Sequence, residues 1–130
     1  MTYTSMTPTA LGVHIYSGAF TLGVKKAGFR ILGQWEEGPW GAATFNINFP
    51  GVPHPLTRAE WPVARHINKV QLLYGNPPCS IWSAAGSHLG TADPRIVFQT
   101  VCFDLASELQ PDVFVLESVP RAWSPTGGRD

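Results

Sequence analysis

The apolar positions of this chain fall in short runs punctuated by glycine and proline, and successive runs alternate between two spacings. Residues 11–16, LGVHIY, make a brief apolar run that predicts a first strand. Ser17-Gly18-Ala19 turns the chain, and from Phe20 onward Phe20, Val24 and Ala27 share one helical face, with Gly28 where a C-terminal cap belongs. Residues 30–35, RILGQW, predict a second strand that ends in the acidic pair Glu36-Glu37. Gly38 turns the chain again, and Pro39 suits the first position of a helix running to Asn48. Strand, helix, strand, helix in this order predicts a βαβα unit with parallel strands.

Between residues 49 and 62 the prolines at 50, 53, 55 and 62 interrupt any period, leaving a short edge strand near Leu56 and a short helix over 60–68. Residues 70–74, VQLLY, predict a buried strand that Gly75 and Pro77-Pro78 stop abruptly. The loop over 75–92 is long and full of Gly, Ser and Pro, and loops of that length commonly carry function. Asp93 is a good N-cap followed by Pro94, and Phe98, Val101, Cys102, Leu105 and Leu109 then form one apolar stripe. Cys102 therefore belongs to the core. Pro111 ends the helix, and residues 112–116, DVFVL, predict a strand that delivers Glu117 at its carboxyl end. The pattern as a whole is α/β: a mostly parallel sheet with flanking helices over residues 11–120. Residues 1–10 read as a flexible lead-in and 121–130 as a polar tail.

Composition narrows this picture. The 130 residues suffice for one domain with a real core, and 14% charged against 44% apolar residues excludes a disordered chain. Zero formal net charge gives no electrostatic argument for a nucleic-acid or membrane surface. Cys79 and Cys102 are the only cysteines, which suits a reducing compartment, and no apolar run approaches a membrane span or a signal sequence. The expected setting is cytoplasmic.

Parallel strands place Glu36, Cys79 and Glu117 on one rim of the sheet. In open α/β sheets ligands and reacting groups sit at that rim. Cys79 follows two prolines whose φ angles are fixed, so its thiol is a candidate nucleophile at a preset position; the alternative is a small buried hydrophobe. Glu36 stands where an acid commonly holds ribose hydroxyls, whereas Glu37 reads as a solvated turn acid. Glu117, directly after an apolar strand, could donate a proton or bind the edge of a polar heterocycle. The four histidines show no metal-ligand spacing, and His88, in the loop near Cys79, could serve as a base. No phosphate-binding GxxxxGK[ST] loop occurs, and no metal site is expected.

These stretches also resemble a known family. GNPPCSIWSAAG, then DPR opening a helix, then PDVFVLESVP, resembles the DNA cytosine-5 methyltransferases. Their G-x-P-C loop, Asp-x-Arg helix start and P-x-x-F-x-x-E-N-V strand fall in this order. IYSGAFTLGVKKAGF resembles the family's F-x-G cofactor turn and A-G-F helix end, and QWEEGPWGAATFNINFP the stretch that carries its ribose-binding acid. The likeness runs from His14 to Pro120. It implies a Rossmann-like S-adenosylmethionine-dependent methyltransferase fold, present in part, acting on cytosine in DNA. It further implies Cys79 as the nucleophile adding to carbon 6 of a flipped cytosine, activating carbon 5 to take a methyl group. Glu117 would contact the ring nitrogen and exocyclic amine. Glu36 would hold the ribose of S-adenosylmethionine, Tyr16, Ser17 and Gly18 would form the cofactor turn, and Pro78 would shape the pocket.

The sequence departs from the family pattern in several places. The glycine pair after the cofactor turn is missing, since Gly18-Ala19 runs straight into Phe20-Thr21. Leu56-Thr57-Arg58 occupies the place of an aspartate after the third strand, Asn76 stands before the Pro-Pro-Cys step, and Ser118 replaces the Asn of E-N-V. The Q-x-R-x-R arginines and a recognition domain do not occur within these residues. The resemblance therefore implies a truncated or split enzyme, with a complementing C-terminal polypeptide as partner. The alternative is a non-catalytic module that kept the fold. A third reading takes NPPC as a variant of the amino-methyltransferase N-P-P-[Y/F/W] loop, where cysteine cannot stack on a base as the aromatic residue does.

Overall fold

The computed structural model describes residues 6–53, 55–57, 60, 69–86 and 89–124. Its centre is β1, Thr9–Val13, which pairs in parallel with β2, Arg30–Trp35, on one side. On the other side it pairs with β4, Leu72–Gly75. The two-residue β3, Pro55–Leu56, extends the sheet beyond β2, and β5, Val113–Leu116, extends it beyond β4. All pairings are parallel and the order is β3-β2-β1-β4-β5. The α/β class and the parallel βαβα opening expected from the sequence are therefore present.

Among the described residues, the helices α1, Ala19–Lys26, α2, Pro39–Asn48, and α3, Val97–Leu109, cover the sheet. Alternation along β1 and β4 divides the core between two faces. The register shift where Ala10 faces Ile31 but Leu11 faces Gly33 turns Ile31 and Trp35 of β2 to opposite faces although they are four residues apart. Leu11, Val13, Trp35 and Leu73 pack with Cys102 and Leu105 of α3. Ala10, Ile31 and Tyr74 pack on the opposite face with Val24 of α1 and Phe45 of α2. Cys102 is fully buried, as its place in the apolar stripe requires, and burial pushes its thiol up to about 12.

Boundaries moved where side chains far along the chain intervene. The chain joins the sheet at Thr9, inside the stretch read as a lead-in, because Pro8 O accepts the Arg30 amide at 2.8 Å. The strand ends at Val13 rather than Tyr16, since His14 (φ 53°) and Tyr16 (φ 48°) are left-handed. Asp93 caps a single 3-10 turn, Pro94–Ile96, which leads into α3. Gln110 in left-handed conformation closes α3 before Pro111. Part of the expected polar tail is ordered: Pro120–Trp123 form another 3-10 turn with Arg121 and Ala122 half-buried. Of the helix expected over 60–68, only Glu60 lies among the described residues; its carboxylate accepts the Thr57 amide at 2.7 Å. No helix among the described residues is long and apolar enough to cross a membrane.

Candidate functional site

Because all five strands run in parallel, the segments following β1, β2, β4 and β5 emerge on one edge. The direction of winding reverses between β1 and β4, the switch point where open α/β sheets form a crevice. The turn after β1 lies at that crevice. Gly18 N donates to Ile15 O at 2.9 Å, and Gly18 itself sits at φ 96° as the residue before α1. A β-carbon there would lie 2.4 Å from the Phe49 ring and 2.7 Å from Phe45, so both conformation and space require glycine.

Glu36, at the end of β2, is buried against this turn. Its Oε2 accepts the Tyr16 amide at 2.6 Å and its Oε1 accepts the Gly38 amide at 2.7 Å. The carboxylate thus bridges the turns that follow β1 and β2. Each oxygen keeps a further lone pair for an outside donor such as a hydroxyl. Gly41 of α2 supports the arrangement from above, since a β-carbon there would lie 3.2 Å from the Tyr16 backbone. Glu37 is not a free turn acid: its Oε1 accepts the Trp35 indole N–H at 2.6 Å.

The segment after β4 carries Cys79, which is exposed and unpaired. Pro77 is buried and Pro78 exposed, and Cys79 O then accepts the amides of Trp82 at 2.9 Å and Ser83 at 3.0 Å. Cys79 therefore heads a helical turn whose other end is anchored. Ile81 and Trp82 are buried, and the Trp82 indole donates to Gln99 Oε1 of α3 at 2.7 Å. Asp93, 3% exposed, accepts Arg95 Nη2 at 2.7 Å and Arg95 Nε at 2.9 Å, and Arg95 Nη1 donates to Ser80 Oγ at 3.0 Å. The Asp-x-Arg pair is a clamp from the start of the helical segment onto the residue next to the thiol.

Glu117, exposed after β5, stands beside Asn76, exposed after β4, and Asn76 Nδ2 donates to Glu117 Oε2. Both line a cavity of about 310 Å³ with Ile15, Tyr16, Ser17 and Phe20, so the turn after β1 and the ends of β4 and β5 face one space. Glu36, Pro78 and Cys79 are not among its lining residues. Glu36 and Glu117 follow strands three positions apart, which separates their strand ends by about 14 Å. The rim is shared, as expected, but these acids serve different ends of it. His88 lies outside the described residues.

Beneath the crevice lies a polar group that the sequence pattern does not reveal. Thr21 Oγ1 donates to Gln34 Oε1 at 2.9 Å and lies 2.9 Å from the Tyr74 hydroxyl, all three side chains being buried. This network ties α1 to β2 and β4 directly behind the turn. Burial raises the Tyr74 hydroxyl to about 12, so it stays protonated and available as a donor. His14 is the other unforeseen group. It is 3% exposed between Trp35 and Phe98, and its Nε2 has no hydrogen-bond partner among the described residues. Burial lowers it to about 4, against the pull of Glu37 and a hydrogen bond to the Phe98 backbone. A polar residue inside the apolar run LGVHIY was the only signal for it in the sequence.

Comparison with known proteins bears on the same region. The chain is 37% identical over 113 residues to the Type II methyltransferase M.MthTI of Methanothermobacter thermautotrophicus, covering 85% of this chain and 33% of the relative. It is 34% identical over 127 residues to the Type II methyltransferase M1.HphI of Haemophilus parahaemolyticus, covering 90% of this chain and 34% of that one. It thus spans about a third of the length of these relatives. Among solved structures it resembles a DNA modification methyltransferase encoded within an E. coli prophage, with a TM-score of 0.70 and 24% identity. That superposition covers 92% of this chain and 34% of the other, and it shows the shared fold. The C-5 cytosine-specific DNA methylase model matches residues 14–130, from the left-handed His14 through the Cys79 turn and the Glu117 strand end. With that match spanning nearly all of its length, the chain belongs to the C-5 cytosine-specific DNA methylase family.

Proposed function

We propose that this chain is the cofactor- and nucleophile-bearing part of an enzyme that transfers a methyl group from S-adenosylmethionine to carbon 5 of cytosine in DNA. It would act with a further C-terminal polypeptide region that reads the target. One observation carries the reading: a single cavity is lined by Tyr16 and Ser17 after β1 and by Asn76 and Glu117 after β4 and β5, and Cys79 lies three residues beyond Asn76. At about 310 Å³ the cavity is at the small end of small-molecule sites. S-adenosylmethionine bound against the turn would supply an electrophilic methyl group.

The chain's own residues then have distinct tasks. Tyr16, Ser17 and Gly18 present the turn, and Glu36, already holding the Tyr16 amide, accepts ribose hydroxyls with its remaining lone pairs. Cys79 Sγ, as the thiolate, attacks carbon 6 of the cytosine, the 5,6 double bond opens, and its electron pair makes carbon 5 the nucleophile toward the methyl group. Loss of the carbon 5 proton to a base then re-forms the double bond and expels the Cys79 thiolate. Glu117 accepts from the exocyclic amine and shares a proton with the ring nitrogen, stabilising the adduct. Pro78 fixes the backbone entering Cys79. The cytosine must leave the stack, because carbon 6 is inaccessible inside a duplex. Zero net charge supports a partner region that neutralises the DNA phosphates. The unpaired Cys79 and Cys102 fit a reducing, cytoplasmic setting.

The test uses DNA carrying 5-fluorocytosine, S-adenosylmethionine and a complementing polypeptide with the recognition region. Fluorine at carbon 5 cannot leave as a proton does, so the adduct accumulates as a denaturation-resistant complex. It is expected with the wild-type chain and not with Cys79→Ser. A wild-type chain that forms no adduct with its complement sinks the catalytic reading. One observation favours a second reading, a non-catalytic binding module: Ala19 and Phe20 line the cavity where the family carries its glycine pair. Calorimetry with S-adenosylmethionine separates the two, since a pseudoenzyme without a cofactor site gives no binding heat.

A further inference from the structure

The side chains at the ends of β4 and β5 meet. Glu117 N donates to Gly75 O at 2.9 Å and Asn76 N donates to Val13 O at 3.2 Å, so both backbones continue the sheet's hydrogen bonding one step past the strands. That continuation sets Asn76 and Glu117 side by side, and Asn76 Nδ2 donates to Glu117 Oε2. Both side chains are exposed, and an exposed glutamate otherwise samples many rotamers whose ordering costs free energy at the moment a ligand binds. An ionised carboxylate offers about four acceptor positions, of which one amide donor occupies a single one. The donor is neutral, so it orients the carboxylate without cancelling its charge.

From this geometry we infer that Asn76 is a positioning residue for Glu117: its amide holds one carboxylate oxygen and leaves the other turned to a donor edge of the base. The inference rests on the methyl-transfer reading for what Glu117 meets, but the pairing itself does not. Asn76 lies between the strand and Pro77-Pro78-Cys79, so the same short segment that carries the thiol also sets the acid. Orientation of the acid and placement of the nucleophile are thereby coupled through the backbone of two intervening prolines, Pro77 and Pro78, not through a chain of side chains.

Two measurements test it, and they fail separately. In the isolated chain, side-chain scalar couplings of Glu117 should report one dominant rotamer, averaging in Asn76→Ala and averaging or switching in Asn76→Asp. In the 5-fluorocytosine assay, adduct formation should slow about tenfold in Asn76→Ala, the scale of one lost hydrogen bond to a charged group. It should slow further in Asn76→Asp, whose shape is conserved but whose charge repels Glu117. If Asn76 served only to fill space, Asn76→Asp would outperform Asn76→Ala, and that order overturns the inference. Glu117 couplings unchanged in Asn76→Ala overturn it too, whatever the adduct shows. Absence of any adduct with the wild-type chain and its complement strikes the methyl-transfer reading instead, and the couplings still decide the pairing.

Discussion

The carboxylate of Glu36 holds the backbone amide of Tyr16 at 2.6 Å, across a separation of 20 residues, and this bond shapes the turn before any ligand arrives. With its other oxygen on the Gly38 amide at 2.7 Å, Glu36 satisfies two otherwise awkward donors in a nearly buried place. Glu36→Ala should therefore destabilise the free protein by about 2–4 kcal/mol, from two hydrogen bonds to a charged acceptor. Glu36→Gln, which keeps one acceptor, should recover about half of that by the same argument. Urea melts without cofactor check this. If Glu36→Ala melts as the wild type does, the carboxylate is not a structural bridge, and loss of cofactor binding in that variant would then report ribose contact alone.

Two glycines eight residues or fewer from that turn should respond to alanine with opposite signs. At Gly18 a β-carbon would meet the Phe49 ring at 2.4 Å with φ at 96°, so Gly18→Ala should cost about 2–4 kcal/mol through strain and overpacking. At Gly23, inside α1, an added β-carbon would meet nothing within 4 Å among the described residues beyond its own helix, and Gly23→Ala should stabilise by about 0.5–1 kcal/mol. Paired thermal melts decide it; a stabilising Gly18→Ala would mean that the turn can relax away from Phe45 and Phe49.

These contacts also mark what could be read in advance. The parallel order and the shared rim followed from apolar runs of the right length and from Asp93, Pro94 and Pro39 at helix starts, all of which act through neighbours in sequence. The end of β1 could not be read this way. Neither His14 nor Tyr16 requires positive φ by its own chemistry, and their conformation is imposed on a turn that Glu36 and Gly41 hold from 20 or more residues away. The same holds for the clamp of Arg95 on Ser80, the Trp82–Gln99 bond and the Asn76–Glu117 pair: each joins segments 15 to 41 residues apart. Spacing located the candidate residues, whereas their partners depend on which strand ends become neighbours.

The clamp gives a prediction for the thiol loop. Arg95→Ala should free Ser80 and accelerate amide hydrogen exchange at Trp82 and Ser83 by about tenfold, since one bridging interaction with a charged donor is lost. Arg95→Lys should not restore protection, because an ammonium lacks the fork that reaches Asp93 and Ser80 together. Cys102 is buried with its thiol near 12, so a thiol reagent applied to the native protein should modify Cys79 first and nearly alone. Full protection at Trp82 and Ser83 in Arg95→Ala would show that the Trp82–Gln99 bond suffices to hold the loop.

His14 should make the fold sensitive to mild acid. Its folded-state value is lowered from 6.5 to about 4 because the ring is buried between Trp35 and Phe98, so the folded protein keeps it neutral. Above pH 6.5 neither the folded nor the unfolded form binds the proton, and the contribution of His14 is fully present. As pH falls toward 4 the unfolded chain binds the proton and the folded one does not, which removes about 3 kcal/mol of stability across that window. His14→Asn tests this while tolerating the left-handed backbone. Lost packing gives that variant a cost that does not depend on pH, so the informative quantity is the change in the gap between the two proteins. Urea melts at several values between pH 7.5 and 4.5, roughly spanning the window, should show the wild type losing more stability than His14→Asn as the solution is acidified. Stability curves that stay parallel would mean that the folded protein protonates His14 as readily as the unfolded chain does, with water or Glu37 serving its second nitrogen.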